Sequence, residues 1–213
     1  MTSVKEAHHP LFARLYGFMT RYESAQERGH RTELLSGLSG RVLEVGAGAG
    51  TNFDYYPAGV TEVVAVEPEA YLREKATAAA TRAPVKVTVL TGTADQLPAP
   101  DGGFDSAVAC LVLCSVPDQA AALAELRRVL RPGGELRFYE HVLSRKPLVA
   151  WAQRLVDRTF WPTTFGGCHT ARDTPAAIAA AGFKIEQQRR MWVAPVPVVL
   201  PAATHALGRA RRS

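Results

Sequence analysis

The sequence predicts an α/β fold: a parallel sheet with helices packed on both faces. Three observations carry it. Short β-rich runs alternate with helical patterns along the chain. The first β-rich run ends in three closely spaced glycines. No internal repeat or low-complexity linker interrupts the alternation, and 213 residues at 47% hydrophobic content suit one domain with a sizeable core.

The elements follow in order. "RVLEV" (41–45), "TEVVAV" (61–66), "VKVTVL" (85–90), "FDSAVACLVL" (104–113) and "GELRFYEHV" (134–142) read as strands, rich in β-branched residues and bounded by turn formers. "EAYLREKATAAATR" (69–82) and "PDQAAALAELRRVL" (117–130) read as helices. The second places Ala121, Leu123, Leu126, Val129 and Leu130 on roughly one face, with Asp118 in its first turn. It is expected to stop at "RPGG", where Pro132 and two glycines break it.

Composition excludes several classes. No apolar run reaches the ~18 residues of a membrane-spanning helix, so no integral membrane segment is expected. The N-terminus carries charges and histidines instead of a signal-peptide core, and a cytoplasmic location is expected. The three cysteines show no C-x-x-C spacing, which suits reduced thiols and gives no metal signature. Much of the net charge of +5 sits in the terminal "RARRS", so nucleic acid is not an expected partner.

Gly46, Gly48 and Gly50 follow the first strand and are expected to open a helix. In a doubly wound sheet this is where a nucleotide-type cofactor crosses the carboxyl ends of the strands, and glycine lets a ligand approach the backbone. Glu67 ends the next strand, 21 residues after Gly46, and its carboxylate suits a pair of ribose hydroxyls. A plain tight turn is the alternative reading.

The spacing is E-x-G-x-G-x-G. With "VEP", "GTADQLPAPDGGFDSAV" and "ELRRVLRPGGEL" in order over residues 41–140, the chain resembles class I S-adenosylmethionine-dependent methyltransferases. The resemblance implies a Rossmann-like, seven-stranded sheet, mostly parallel with its last strand antiparallel. "GFKIEQQRRMWV" and "ATHALGRAR" would supply strands six and seven. It implies S-adenosyl-L-methionine as cofactor. Glu44, Gly46, Ala47, Gly48, Gly50 and Asn52 would form the first motif, beside the methionine portion. Glu67 and Pro68 would lie at the ribose, Thr93, Ala94 and Asp95 at the adenine, and Leu111 against the adenine or methionine portion. Thr93 departs from the acidic residue many relatives carry there.

"NFDYYP", "LVLCSV", "YEHV", "GGCHTARDT" and "AGF" extend the resemblance to small methyltransferases that include the alkyl-thiol S-methyltransferases. This implies a small-molecule methyl acceptor, with a thiol first and a phenol, amine or quinone as the alternative. A non-catalytic cofactor-binding module is a third reading. Membrane-associated members carry an apolar N-terminal anchor; none is expected here, and a soluble enzyme is the expectation.

Methyl transfer from a sulfonium needs alignment, water exclusion and an ionised acceptor. His141, after the fifth strand, is the candidate base; ordering the loop is its structural alternative. Cys114, Trp151, Trp161, Cys168 and His169 are candidate substrate contacts. Core packing is the alternative for Cys114, and a metal pair at Cys168 and His169 is not expected. Residues 1–40 would form a helical lid in which Tyr16 reaches the cofactor or substrate. Residues 41–142 would form the cofactor core and 143–181 a substrate lid, with Trp151, Phe160 and Trp161 as an apolar cover. Residues 182–213 would add the last strands and a basic tail. That tail is read as a loop, a final edge strand and a frayed end, with a weak peripheral membrane contact as the alternative. The oligomeric state is left open.

Overall fold

A computed structural model describes residues 13, 14, 17, 24–193 and 201–213. The chain folds as α1 (Ala25–Leu35), β1 (Gly40–Val45), a 3-10 turn (Phe53–Tyr55), β2 (Val60–Val66), α2 (Ala70–Ala80), β3 (Val87–Leu90) and β4 (Phe104–Cys110). It continues with α3 (Gln119–Val129), β5 (Leu130–His141), α4 (Pro147–Asp157), α5 (Trp161–Thr164), α6 (Thr174–Ala180), β6 (Phe183–Trp192) and β7 (Thr204–Arg212). Seven strands form one sheet in the order β3-β2-β1-β4-β5-β7-β6. β1, β2, β3, β4 and β5 pair in parallel, while β7 runs antiparallel to both β5 and β6. This is the expected seven-stranded Rossmann-like sheet.

The central strands β1, β2 and β4 each hold four consecutive buried residues, apolar except for Glu44 and Ser106, as strands covered by helices on both faces should. Two apolar clusters divide across the sheet. One gathers Leu43, Val66, Phe104, Leu123, Leu126, Leu136 and Ile178; the other gathers Leu34, Leu35, Val42, Phe53, Val63 and Ala76. Helix starts are set by side-chain caps: Ser24 and Glu27 form a reciprocal capping box on α1. Glu69 caps α2 and Asp118 caps α3. Asp118 is thus the cap of α3, one residue outside its first turn. α3 buries Ala122, Leu123, Leu126 and Val129, so Ala122 takes the place expected for Ala121.

Several expectations need correction. The glycines after β1 open no α-helix. They lead through turns into the 3-10 turn Phe53–Tyr55, which anchors itself by burying Phe53 and Tyr56 before Pro57 ends it. The end of α3 is as expected: it stops at Val129 with Leu130 as its cap, directly before "RPGG", where Arg131 precedes a proline and disfavours the helical conformation. β4 ends at Cys110, before Leu111, whose φ of 60° leaves the extended region. β7 is an interior strand and the basic end is not frayed. Arg211 binds the Glu186 carboxylate at 2.6 Å, Arg209 approaches Glu186 at 3.8 Å and Glu135 at 3.9 Å, and Arg212 donates to the Leu130 carbonyl. Tyr16, with most of the expected N-terminal lid helix, lies outside the described residues. No helix among the described residues is long and apolar enough to cross a membrane.

Candidate functional site

The site lies at the carboxyl ends of β1, β2, β4 and β5, where side chains from separate crossovers converge. After β1 the chain turns tightly: Ala47 N donates to Val66 O at 3.2 Å and Gly50 N to Ala47 O at 2.9 Å. Gly46 has φ +62°, and a Cβ there would sit 2.5 Å from Val112 Cγ2, so only glycine lets the turn after β4 close over it. Glu67 is buried at the tip of β2. Its carboxylate accepts from Gly48 N at 2.8 Å and Glu69 N at 2.9 Å, and burial raises its pKa. Two of about four lone-pair sites are used, so the carboxylate retains capacity for a diol. A bare glycine turn beside such a carboxylate fits the ribose and methionine portions of a nucleoside cofactor.

Glu44 and Asn52 lie behind the turn. Asn52 Nδ2 donates to Glu44 Oε1 at 2.8 Å and Tyr56 OH to Oε2 at 2.7 Å. Burial pushes the Glu44 carboxyl up to about 7 against these bonds. Arg31, from α1, donates to Asn52 Oδ1 at 2.6 Å and to Cys110 Sγ at 3.4 Å. Pro68 follows Glu67 and leads to the cap of α2. Thr93 bridges to Gln96 across the turn after β3, with Ala94 half-buried and Asp95 exposed.

Leu111 is the one non-glycine residue of positive φ among the described residues, and its N–H donates to Tyr139 O at 2.7 Å. Strain of this kind needs surroundings that enforce it. They are supplied by Glu140, whose buried carboxylate accepts from the amides of Val112, Leu113 and Cys114, each at 3.0 Å. Alternation along β5 aims Glu140 and His141 in different directions, and Cys114 at the end of the turn meets both: its amide reaches Glu140 and its sulfur His141.

His141 lines a cavity of about 140 Å³ with Glu27, Arg31, Leu111, Tyr139, Val193, Ala202 and His205. A larger surface groove between α3 and α6, about 810 Å³, shares no residue with this site and holds none of its titratable chemistry. His141 Nδ1 lies 3.5 Å from Cys114 Sγ and 3.4 Å from Cys168 Sγ. The Cys114 thiol lowers the pKa of Cys168 against the cost of burial, helped by His141 and the Trp161 indole. Burial opposes charge on His141, yet the Cys168 sulfur and Glu140 outweigh it and raise its pKa. Cys114 is pushed up by the Cys168 sulfur and by burial. The neighbouring His205 is driven down to about 3 by burial and then by His141.

The lid candidates separate. Trp161 is buried with Cys114, Cys168 and Ala202. Trp151 is 64% exposed and Phe160 55% exposed, so neither joins that cluster. Helix α4, which carries Trp151, is fixed through the buried Gln153, whose side-chain amide accepts from Ser144 N and donates to the carbonyls of Val142, Thr170 and Pro201. His169 is turned from Cys168 toward Asp157, at 3.5 Å from its carboxylate. The sequence reading missed Arg31, Tyr139 and His205. The unread S-x-x-E box at Ser24–Glu27 is the signal that could have placed α1, and β7 carries His205 opposite His141.

Comparison with known proteins gives a consistent picture. Residues 43–138 match the sequence profile of a family described as a methyltransferase domain. The chain is 36% identical over 185 residues to the human thiol S-methyltransferase TMT1B, covering 83% of this chain and 73% of that protein. It is 31% identical over 147 residues to phosphatidylethanolamine N-methyltransferase of Cereibacter sphaeroides, covering 68% and 71%. In fold it is similar to geranyl diphosphate methyltransferase solved with its cofactor: TM-score 0.70, 16% identity, 100% of this chain and 97% of that one.

Proposed function

Because the chain belongs to the class I S-adenosylmethionine-dependent methyltransferases, and so is an enzyme that methylates a small molecule, we propose that its acceptor is a thiol. The observation that carries this reading is His141 on the cavity wall, with two cysteine sulfurs within 3.5 Å of its Nδ1. These surroundings already favour one thiolate, that of Cys168, and so suit an acceptor that reacts as a thiolate. The likeness to thiol S-methyltransferase TMT1B supports it.

When bound, S-adenosylmethionine supplies a methyl group on a sulfonium, open to in-line displacement. The residues have separable tasks in this reading. The Gly46–Gly50 turn receives the methionine portion and Glu67 accepts from the ribose hydroxyls. Thr93, Ala94 and Asp95 border the adenine. Glu44 orients Asn52 and Tyr56 behind the turn, and Arg31 adds positive charge beside them for a carboxylate. Leu111 and Tyr139 wall the cavity and exclude water, which strengthens attraction between an acceptor anion and a sulfonium. His141 favours the acceptor's ionised form. Cys114, Trp161 and Cys168 back this wall.

Methylation of nitrogen, oxygen or carbon is the second reading, favoured by the likeness to phosphatidylethanolamine N-methyltransferase. Matched panels of thiols, phenols and amines, incubated with S-adenosylmethionine and followed by methyl incorporation, separate the two. Thiols are expected to give the highest kcat/KM. Methylated phenols or amines with inert thiols would transfer the assignment to the second reading.

A further inference from the structure

We propose that Cys114, His141 and Cys168 form a zinc site with three protein ligands and a fourth position that takes the acceptor's thiolate. The metal site stands on its own geometry; the identity of the fourth ligand rests on the thiol reading above.

The three residues come from separate segments: the turn after β4, the end of β5 and the loop after α5. Their donor atoms all lie within 4.8 Å of one another. A tetrahedral zinc with Zn–S about 2.3 Å and Zn–N about 2.05 Å has S···N edges of about 3.6 Å. The observed edges are 3.5 Å and 3.4 Å. A disulfide between the cysteines would give no reason for an imidazole nitrogen nearly equidistant from both sulfurs. Two thiolates also neutralise a divalent cation, which the buried surroundings of Trp161, Val156, Phe165 and Ala202 require.

The supporting shell is built for fixed ligands. Glu140 holds the Cys114 amide at 3.0 Å and His169 N donates to Cys114 O at 2.8 Å. Arg172 ties the loop bearing Cys168 to the carbonyls of Leu113 and Val116 at 2.8 and 2.7 Å. The buried Trp161 indole N–H has no hydrogen-bond partner, and its ring belongs to the same buried cluster as both cysteines. Two cysteines and one histidine leave zinc one position short of four, the arrangement of reactive zinc centres. His141 is one of the three ligands and Ala202 packs with the two cysteines; both also line the cavity, so the site borders it.

The chemistry balances. Zinc binding displaces the protons that the Cys114–His141–Cys168 cluster shares, leaving two thiolates and a neutral imidazole, and an entering thiol releases its own proton to solvent. Its sulfur lone pair forms the new C–S bond as the sulfonium C–S bond breaks. The thioether produced carries no charge and is a poor zinc ligand, so it leaves. His141 then favours the thiolate as a ligand of the metal.

The test uses the full chain purified without chelator. Elemental analysis is expected to find one zinc per chain, lost in Cys114→Ser and Cys168→Ser. Wild-type protein stripped and reloaded with cobalt(II) is expected to show thiolate-to-cobalt charge transfer and tetrahedral d–d bands. The bands should shift on adding a small thiol and stay put with its methyl thioether. This wild-type measurement decides even where a variant fails to fold. No stoichiometric metal and no cobalt–thiolate absorption would overturn the site, as would undiminished metal in both folded variants. Cobalt bands indifferent to thiols would overturn the open position. Thiol-responsive bands in an enzyme that methylates only phenols or amines would uphold the site and remove the thiol reading.

Discussion

The Glu140 carboxylate and the Cys114 amide, on neighbouring strand ends, are joined by a buried hydrogen bond of 3.0 Å. The same carboxylate holds Val112 and Leu113, so one side chain shapes the whole turn after β4. Glu140→Gln keeps the shape but replaces one acceptor oxygen with an amide NH2, a donor set against N–H donors. A loss of roughly 1–3 kcal/mol in unfolding free energy is expected, with a raised acceptor KM. Denaturant unfolding and steady-state kinetics measure both; unchanged values in both would deny Glu140 its bracing role.

Glu67→Ala should weaken S-adenosylmethionine binding by about 1.5–3 kcal/mol, the worth of a hydrogen bond to a charged group. Titration calorimetry measures it, with thermal unfolding to establish that the variant is folded. Full affinity in a folded variant would move the ribose contact elsewhere.

Glu44 gives a pH dependence of stability. Its folded pKa of about 7 lies above the usual 4.5, so the folded state holds the proton more tightly. Below about 4.5 both states are protonated and no penalty exists. Between about 4.5 and 7 stability falls as pH rises, and above 7 the loss is complete at about 3 kcal/mol. Glu44→Gln should lack this slope whatever its absolute stability. Parallel wild-type and variant slopes in urea titrations from pH 4.5 to 8 would contradict it.

His141→Ala should slow thiol methylation most at low pH, with much of the loss recovered at high pH, where solution supplies thiolate. A phenol acceptor would recover only at higher pH. Wild-type rates from pH 6 to 9 in the variant would exclude any part for His141 in acceptor ionisation.

The turn and carboxylate of the candidate cofactor half were legible as neighbours because their signals are local. Gly46, Gly48 and Gly50 sit on consecutive turns after a strand, and Glu67 ends the next, so position along the chain implies position in space. Arg31 and His205 were not legible for the opposite reason. Arg31 reaches Asn52 across 21 residues, and His205 meets His141 only because β7 inserts beside β5. The basic tail misled for a related reason. Its arginines look solvated in sequence, and their partners Glu186 and Glu135 lie on flanking strands. Cys168 and His169 are adjacent in sequence but face different partners, which spacing alone does not reveal.

The placement of β7 makes β6 the outer strand of the sheet. An outer strand offers unpaired amides and carbonyls to any other extended chain, and long apolar ones invite fibrous stacking. Here that strand reads "FKIEQQRRMW", with Lys184, Glu186, Arg189 and Arg190 along it. Another molecule's strand approaching this rim would have to bury four charges. At the opposite rim β3 has only four residues, too short a template for lateral growth. Both margins are therefore guarded against runaway association, one by charge and one by brevity.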